Sequence, residues 1–384
     1  MDHFQLKNGT LHAEGVPLTR IAEDVGTPVY VYSRATLERH AQVFRHGIAQ
    51  VGKSHIAFAI KSNPNRAVLR VLAKQGYGAD VVSGGEISRA IAAGMRPEDV
   101  VFSGVGKTRA ELEQALDTGI GQFNIELEEE GVVLAQIAAS KGMTASATLR
   151  VNPDVDAGTH AKISTGKKEN KFGVAIDQAP AIFDRLAKLP GLNLRGVALH
   201  IGSPLFDLDP IEAAYARVGH LVADLRAMGH GIDRVDLGGG LGVPYKTSEN
   251  PPSPADYGQM VARVTKGWDA MLMFEPGRVI VGNAGVLLTK VIWVKPGVIN
   301  PYVIVDAAMN DLARPAMYDA WHDFAAVTPN GEKMVANIAG PVCESGDTFA
   351  MGREIDRVSS GDLAVFRTAG AYGATMARPA IAFL

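Results

Sequence analysis

The sequence predicts an α/β protein, a (β/α)8 TIM-type barrel with a second, mostly β domain, and three observations carry that prediction. Between residues 55 and 277, short apolar runs rich in β-branched residues alternate with longer segments of helical period. This is the pattern of parallel strands joined by crossover helices. Eight such alternations fit into about 220 residues, the span that a closed eight-stranded barrel occupies. After Arg278 the apolar runs are separated by turns rather than helices, which reads as a separate β domain.

The strand candidates of the barrel are HIAFAIK (55–61), GADVVS (78–83), DVVFSG (99–104), GQFNIE (121–126), ATLRVN (147–152), LRGVALHIG (194–202), RVDLGGG (234–240) and MLMFEPG (271–277). Between them lie segments such as NRAVLRVLAKQG, GEISRAIAAG, TRAELEQALDTG and DPIEAAYARVGHLVADLRAMG. Their apolar residues stand three or four apart and a glycine comes near the end, as helices require. In the second domain AGVLLTKVIWV, PYVIVDAA, MVANIAG and GDLAVFRT are the strands. FQLKNGTL and TPVYVYS also read as strand and turn and are expected to join that domain. The expected division is therefore 1–33 with the β domain, 34–278 as barrel, and 279–384 as the rest of a discontinuous β domain. KTSENPPSPAD (246–256) is the one linker-like stretch and reads as a surface loop.

Composition narrows the function. At 384 residues and 47% hydrophobic content the chain can bury a substantial core. Its 38 basic and 41 acidic residues are interspersed and sum to −3, so no basic stripe suggests nucleic acid as a partner. The start, MDHFQLKNGTLHAEG, lacks the basic and apolar regions of a secretory signal. No apolar run approaches ~18 residues, so no membrane partner is expected. One cysteine forms no intrachain disulfide, and the expected compartment is a reducing cytoplasm. No metal is expected either, because the histidines are scattered without ligand spacing.

In a barrel of this type chemistry sits where strands end. The strand candidates end in Lys61, Ser83, Ser103, Glu126, Asn152, His200 with Ser203 beyond it, Gly238 to Gly240, and Glu275 with Gly277 and Arg278. Lys61 in a low-dielectric barrel mouth would offer a neutral amine for a Schiff base; a lysine snorkelling at a strand end is the plain alternative. Gly238, Gly239 and Gly240 suit either a phosphate cradle or a tight turn. Glu275 suits a cationic ring nitrogen, or a local pair with Arg278. His200 suits stacking on a flat ring, or an ordinary hydrogen-bonded place in a strand. Taken together, an amine for an aldehyde, glycines for a phosphate, a carboxylate for a pyridinium and an imidazole for stacking describe pyridoxal 5′-phosphate.

At this point FAIKSNPN, DVVSGGE, RVNPDVDAGTHAKISTGKKENKFG, HIGS, DLGGGLGVPY, FEPGR, DAAMNDLARPAMYDA, GPVCESGD and AGAYG come into view as motifs. They resemble the fold-type III pyridoxal-phosphate-dependent decarboxylases, and among them the diaminopimelate decarboxylases, from about residue 25 to 377. The resemblance implies that Lys61 holds the cofactor as a Schiff base and that His200 stacks on its ring. It also implies that Ser203, Gly239, Gly240, Gly277 and Arg278 surround the phosphate and ring, with Glu275 on the ring nitrogen. A glutamate there favours decarboxylation, whereas related racemases carry an arginine. Arg278, Arg314, Tyr318, Glu344 and Tyr372 are implied to bind an amino-acid substrate, with Tyr372 also touching the phosphate. Cys343 is implied to be the acid that returns a proton after carbon dioxide leaves, reaching the active site of a partner subunit in a homodimer with shared sites. By composition alone a lone cysteine reads as a small buried hydrophobe.

Two departures accompany the match. Pro204 follows HIGS where the family usually has glutamine, and AYGATMA runs directly into RPAIAFL without the usual Tyr-Asn-Ser segment. The expected activity is decarboxylation of meso-2,6-diaminopimelate to L-lysine. The nearest alternative is a decarboxylase of ornithine, lysine or arginine; NDLARPAMYDA together with CES favours a substrate with a distal carboxylate. A non-catalytic cofactor carrier leaves the β domain unexplained. A Schiff-base aldolase without a cofactor leaves His200 and Glu275 unexplained.

Overall fold

The computed structural model describes residues 2–156 and 171–377. Residues 157–170, in the middle of the RVNPDVDAGTHAKISTGKKENKFG motif, and RPAIAFL lie outside the described residues. The chain forms two compact units. One comprises Ala41–Gly242 and Pro251–Gly277; the other is assembled from the chain up to His40, Val243–Asn250, and the chain from Arg278 onward.

The second unit begins with β1 (Phe4–Lys7), β2 (Thr10–Ala13) and β3 (Val16–Pro17), followed by β4 (Val29–Tyr32). The first unit holds β5 (Ser54–Ala59), β6 (Gly78–Val81), β7 (Val100–Phe102), β8 (Gln122–Ile125) and β9 (Ala145–Asn152). It continues with a two-residue β10 (Val174–Ala175), β11 (Leu192–Ala198), β12 (Arg234–Asp236) and β13 (Met271–Phe274). All pairings there are parallel, and the sheet closes because β13 pairs with β5 and β8 with β9. The eight expected strands form the closed barrel, while β10 adds outside it on β9. Phe58, Phe102, Phe123, Leu149, Val197 and Val235 are almost completely buried; each such side chain contributes about 1.5–3 kcal/mol of transfer free energy.

Helix starts follow local chemistry. Thr108 and Glu111 form a capping box before helix Arg109–Thr118, and Ser253 and Asp256 form another before Pro254–Val264. The latter corrects the reading of 246–256 as loop throughout: its last residues open a helix, with Pro254 in the first turn where its missing N–H costs nothing.

The second unit centres on the long strand β14 (Gly285–Lys295). With it go β15 (Tyr302–Val305), β16 (Phe324–Ala326), β17 (Lys333–Ala339), β18 (Thr348–Asp356) and β19 (Leu363–Phe366), in the order β16-β19-β14-β15-β17-β18. β4 joins this sheet by pairing antiparallel with β14. β1, β2 and β3 instead make their own small antiparallel sheet, whose Phe4, Leu11 and the neighbouring Leu18 pack against Val286, Leu288 and Val365. The FQLKNGTL hairpin is thus joined by side-chain packing rather than by strand pairing. A second core gathers Val291, Val303, Phe324, Ile338, Phe349 and Phe366. No helix among the described residues is long and apolar enough to cross a membrane.

Candidate active site

Apart from β9, which runs to Asn152, the barrel strands end earlier than their apolar runs, and the other residues singled out above lie in the segments that follow. Lys61 stands in the 3-10 turn Ile60–Ser62, after β5 rather than within it. Its ammonium pairs with Asp80 on β6, a fully buried carboxylate. The lysine side chain keeps about 35% of its surface exposed, so the mouth is less dry around it than expected; the desolvated partner is Asp80. Asp80 Oδ1 is buried and has no hydrogen-bond partner among the described residues, which leaves an acceptor beside the amine.

Glu275 follows β13 directly. Its Oε1 accepts from Ser103 Oγ at 3.3 Å and from Asn124 Nδ2 at 3.4 Å. It shares the buried barrel end with the carboxyl of Asp236 on β12, and two carboxylates placed there disfavour each other's ionisation. Burial, reinforced by Asp236 and Asp80, pushes the Glu275 pKa well above the usual carboxylate range. Burial raises Asp236 as well, although Asn124 Nδ2 at 2.9 Å and the Gly238 N–H at 3.0 Å donate to it. The pair therefore stores a proton at the barrel end.

His200, two residues beyond β11, accepts the Gly239 N–H at Nδ1 over 3.3 Å. Burial, with the charges of Arg150 and Lys61, pushes its pKa down to about 3. The ring is neutral at ordinary pH and can stack. Arg150 on β9 is held at 2.7 Å by Glu126, which also accepts the N–H groups of Gly104 and Gly173, each at 2.9 Å. Ser83 has a structural part: it caps helix Gly84–Ala92.

The glycines after β12 let neighbouring turns touch. A Cβ on Gly239 would stand 2.2 Å from the Glu275 carbonyl, and one on Gly240, at φ +120°, 2.4 Å from the Gly202 carbonyl. This close approach places Ser203 beside Gly240, where the Leu205 N–H donates to the Gly240 carbonyl at 2.8 Å. The Gly238 and Gly239 amides donate to Asp236 Oδ1 and His200 Nδ1. Gly277 faces Ser62, 3.1 Å from where its Cβ would lie.

The second unit gathers a different cluster. Arg278 opens helix Arg278–Val281, and Arg314 and Tyr318 bound helix Arg314–Tyr318. The Arg278 guanidinium lies 4.8 Å from the Tyr372 ring centre, and the charges of Arg278 and Arg314 act on each other; Tyr318 belongs to the same surroundings. Tyr372 has φ +56°, a left-handed conformation that costs a bulky residue about 1–3 kcal/mol and marks functional segments. Cys343 and Glu344 sit in a turn between β17 and β18, and both are exposed. This contradicts the small-hydrophobe reading of the cysteine. Among the described residues neither side chain hydrogen-bonds to the arginines.

Residues that the strand-end pattern missed are Asp80, Asp236 and Asn124 in the barrel, with Tyr245 and His322 in the other unit. The first three lie inside apolar runs, and the signal was there: a buried carboxylate in a strand must be paired or protonated. The unpartnered Asp80 oxygen beside Lys61 and the proton on Glu275 fit a ring cofactor bearing an aldehyde and a basic nitrogen.

Residues 34–282 match the family model described as "Pyridoxal-dependent decarboxylase, pyridoxal binding domain". The diaminopimelate decarboxylase of Zymomonas mobilis is 53% identical over 97% of this chain and 90% of its own. That of Pseudomonas aeruginosa is 50% identical over 98% and 90%. The crystal structure of diaminopimelate decarboxylase from M. jannaschii in co-complex with L-lysine superposes with a TM-score of 0.94 at 36% identity, over 98% of this chain and 90% of that one. With relatives so similar along nearly its whole length, this chain belongs to the diaminopimelate decarboxylases, within the pyridoxal-dependent decarboxylase family.

Proposed function

We propose that the protein decarboxylates meso-2,6-diaminopimelate to L-lysine and carbon dioxide, the last step of lysine biosynthesis, with pyridoxal 5′-phosphate as cofactor. The observation that carries the choice of substrate is the pair of buried guanidiniums, Arg278 and Arg314. A substrate with a second carboxylate matches them, whereas ornithine, lysine and arginine bring no distal anion.

When bound, the cofactor supplies an aldehyde for the substrate amine and a ring that accepts the electron pair left by carbon dioxide. Lys61 is the amine that holds this aldehyde, and Asp80 fixes its position. Glu275, with its stored proton, serves the ring nitrogen, and His200 offers a neutral face. Ser203, Gly239, Gly240, Gly277 and Tyr372 belong to the phosphate side. Arg278, Arg314, Tyr318 and Tyr372 take the carboxylate that is retained, while Glu344 takes the distal ammonium. The carbon that loses carbon dioxide must gain a proton, which Cys343 gives from its thiol.

The shared site of a homodimer is part of the same proposal. Exposure of Cys343 and Glu344, and of the large apolar side chains Trp293, Val342 and Met351 in the same unit, supports a partner surface there. A cytoplasmic site of action accords with this substrate. The test is an absorption spectrum of the purified protein with and without diaminopimelate, coupled to carbon dioxide release. A visible cofactor band and release from diaminopimelate are expected; release from ornithine, lysine or arginine alone would overturn the substrate.

A further inference from the structure

Arg278 and Arg314 place two like charges below the surface of one unit, each about 6% exposed. Such a pair is costly unless neighbours fix it and an anion completes it. Tyr245 lies between the two. Its ring centre is 4.7 Å from the Arg314 guanidinium and 5.9 Å from that of Arg278, and its hydroxyl accepts from Arg278 Nη1 at 2.6 Å.

His322, about 2% exposed, stands behind Arg314. Its Nδ1 lies 2.9 Å from the Arg367 carbonyl, which only accepts, so Nδ1 carries the proton. Nε2 is then a lone pair, and Arg314 Nη1 donates to it at 2.8 Å. The imidazole meets the Tyr245 ring edge-on, 5.5 Å between centres at 87°. Arg353 holds the His322 carbonyl at 2.5 Å and stacks on Trp321. Burial and the charge of Arg314, with Arg278 and Arg353 adding to it, keep the imidazole neutral, its pKa near 3. Both acceptors are thus uncharged. A carboxylate in either place would orient the guanidiniums but also neutralise them, and would compete with an anionic ligand.

We infer that Tyr245 and His322 are positioning residues that set Arg278 and Arg314 as one fork for the carboxylate the substrate keeps through the reaction, and that they thereby select amino acids with a distal carboxylate. The inference rests on the function proposed above. The retained carboxylate is present in diaminopimelate and in L-lysine but absent from cadaverine, which gives the discriminating probes.

The experiment compares wild type, His322→Phe, His322→Gln and Tyr245→Phe as holoenzymes. It reads KM and kcat for diaminopimelate, and L-lysine and cadaverine affinities by calorimetry. One lost charge-assisted hydrogen bond corresponds to about tenfold in affinity. His322→Phe is expected to raise KM and the L-lysine Kd about tenfold, with kcat within about twofold and cadaverine unchanged. His322→Gln, which restores an acceptor near the Nε2 position, is expected to recover most of the loss. Tyr245→Phe removes a single oxygen, and it decides the matter if the histidine variants do not melt cooperatively. Equal losses for L-lysine and cadaverine, or a fall in kcat at constant KM, would overturn the inference. If wild type releases no carbon dioxide from diaminopimelate, the proposed function fails by itself, and the two binding affinities still judge the fork.

Discussion

Glu275 and Asp236 are both buried at one barrel end, where each carboxylate makes ionising the other more costly. The folded chain therefore holds a proton on Glu275 more tightly than an unfolded chain does. The sign follows from that: stability owed to this proton is complete below pH ~4 and is lost as pH rises toward the raised folded value. Asp80 and Asp236 add to the effect, while Lys61 opposes it. Glu275→Gln keeps a donor there and cannot ionise. Its apoprotein is expected to melt about 2 °C or more above wild type at pH 8, with the difference shrinking toward pH 5. A difference constant with pH, read by calorimetric scans, would place the titration elsewhere. Asp236 shows why such residues escape a reading of the sequence. Lys61, His200 and Glu275 stand out because they terminate apolar runs, whereas Asp80, Asn124 and Asp236 sit inside theirs, and only pairing across strands gives them meaning. Tyr245 and His322 carry no periodic signal at all.

Asp347 shows the same logic for a whole turn. It is nearly buried, its Oδ1 accepts the Met309 N–H at 2.7 Å and its Oδ2 the Val342 N–H at 2.8 Å. Its backbone also closes the turn, since the Gly340 N–H donates to its carbonyl at 3.0 Å. One carboxylate thereby fixes the segment that presents Cys343 and Glu344. Each of these bonds to a charged acceptor is worth about 1.5–3 kcal/mol. Asp347→Ala is expected to lower turnover at least tenfold while the cofactor absorption of the holoenzyme stays as in wild type; an altered spectrum would mean that the change reaches the barrel. Among elements, legibility followed burial. The eight barrel strands were readable because burial on both faces makes them continuously apolar, and their ends were overdrawn because Leu237 and Leu199 stay buried after the ladder stops. β18 was not readable: Arg353, Glu354 and Gly352 interrupt it, and its pairing with β17 carries two register shifts. β16, three residues long, offers no period to detect.

If Cys343 is the acid, as proposed, the whole molecule poses a different question, because a proton donor in water protonates whatever reaches it. Cys343 is exposed in the single chain, and Lys61 belongs to the other compact unit. If a partner's turn completes each site, as proposed, the two residues of one site come from different chains. Single variants test this only weakly: Cys343→Ala is expected to lose most turnover yet keep the cofactor band, and Lys61→Ala to lose both, whichever chain supplies the acid. Mixing separates the cases. When Lys61→Ala and Cys343→Ala chains are unfolded together and refolded one to one, half of the dimers contain one of each. In such a dimer one site carries both substitutions and the other neither, so about a quarter of wild-type activity returns. Sites built within one chain would leave every site with a single lesion, and the mixture would show no more activity than the two variants refolded apart. The rate of the mixture therefore reports which chain the thiol serves, and its dependence on the mixing ratio, peaking at one to one, separates pairing from contamination by either parent.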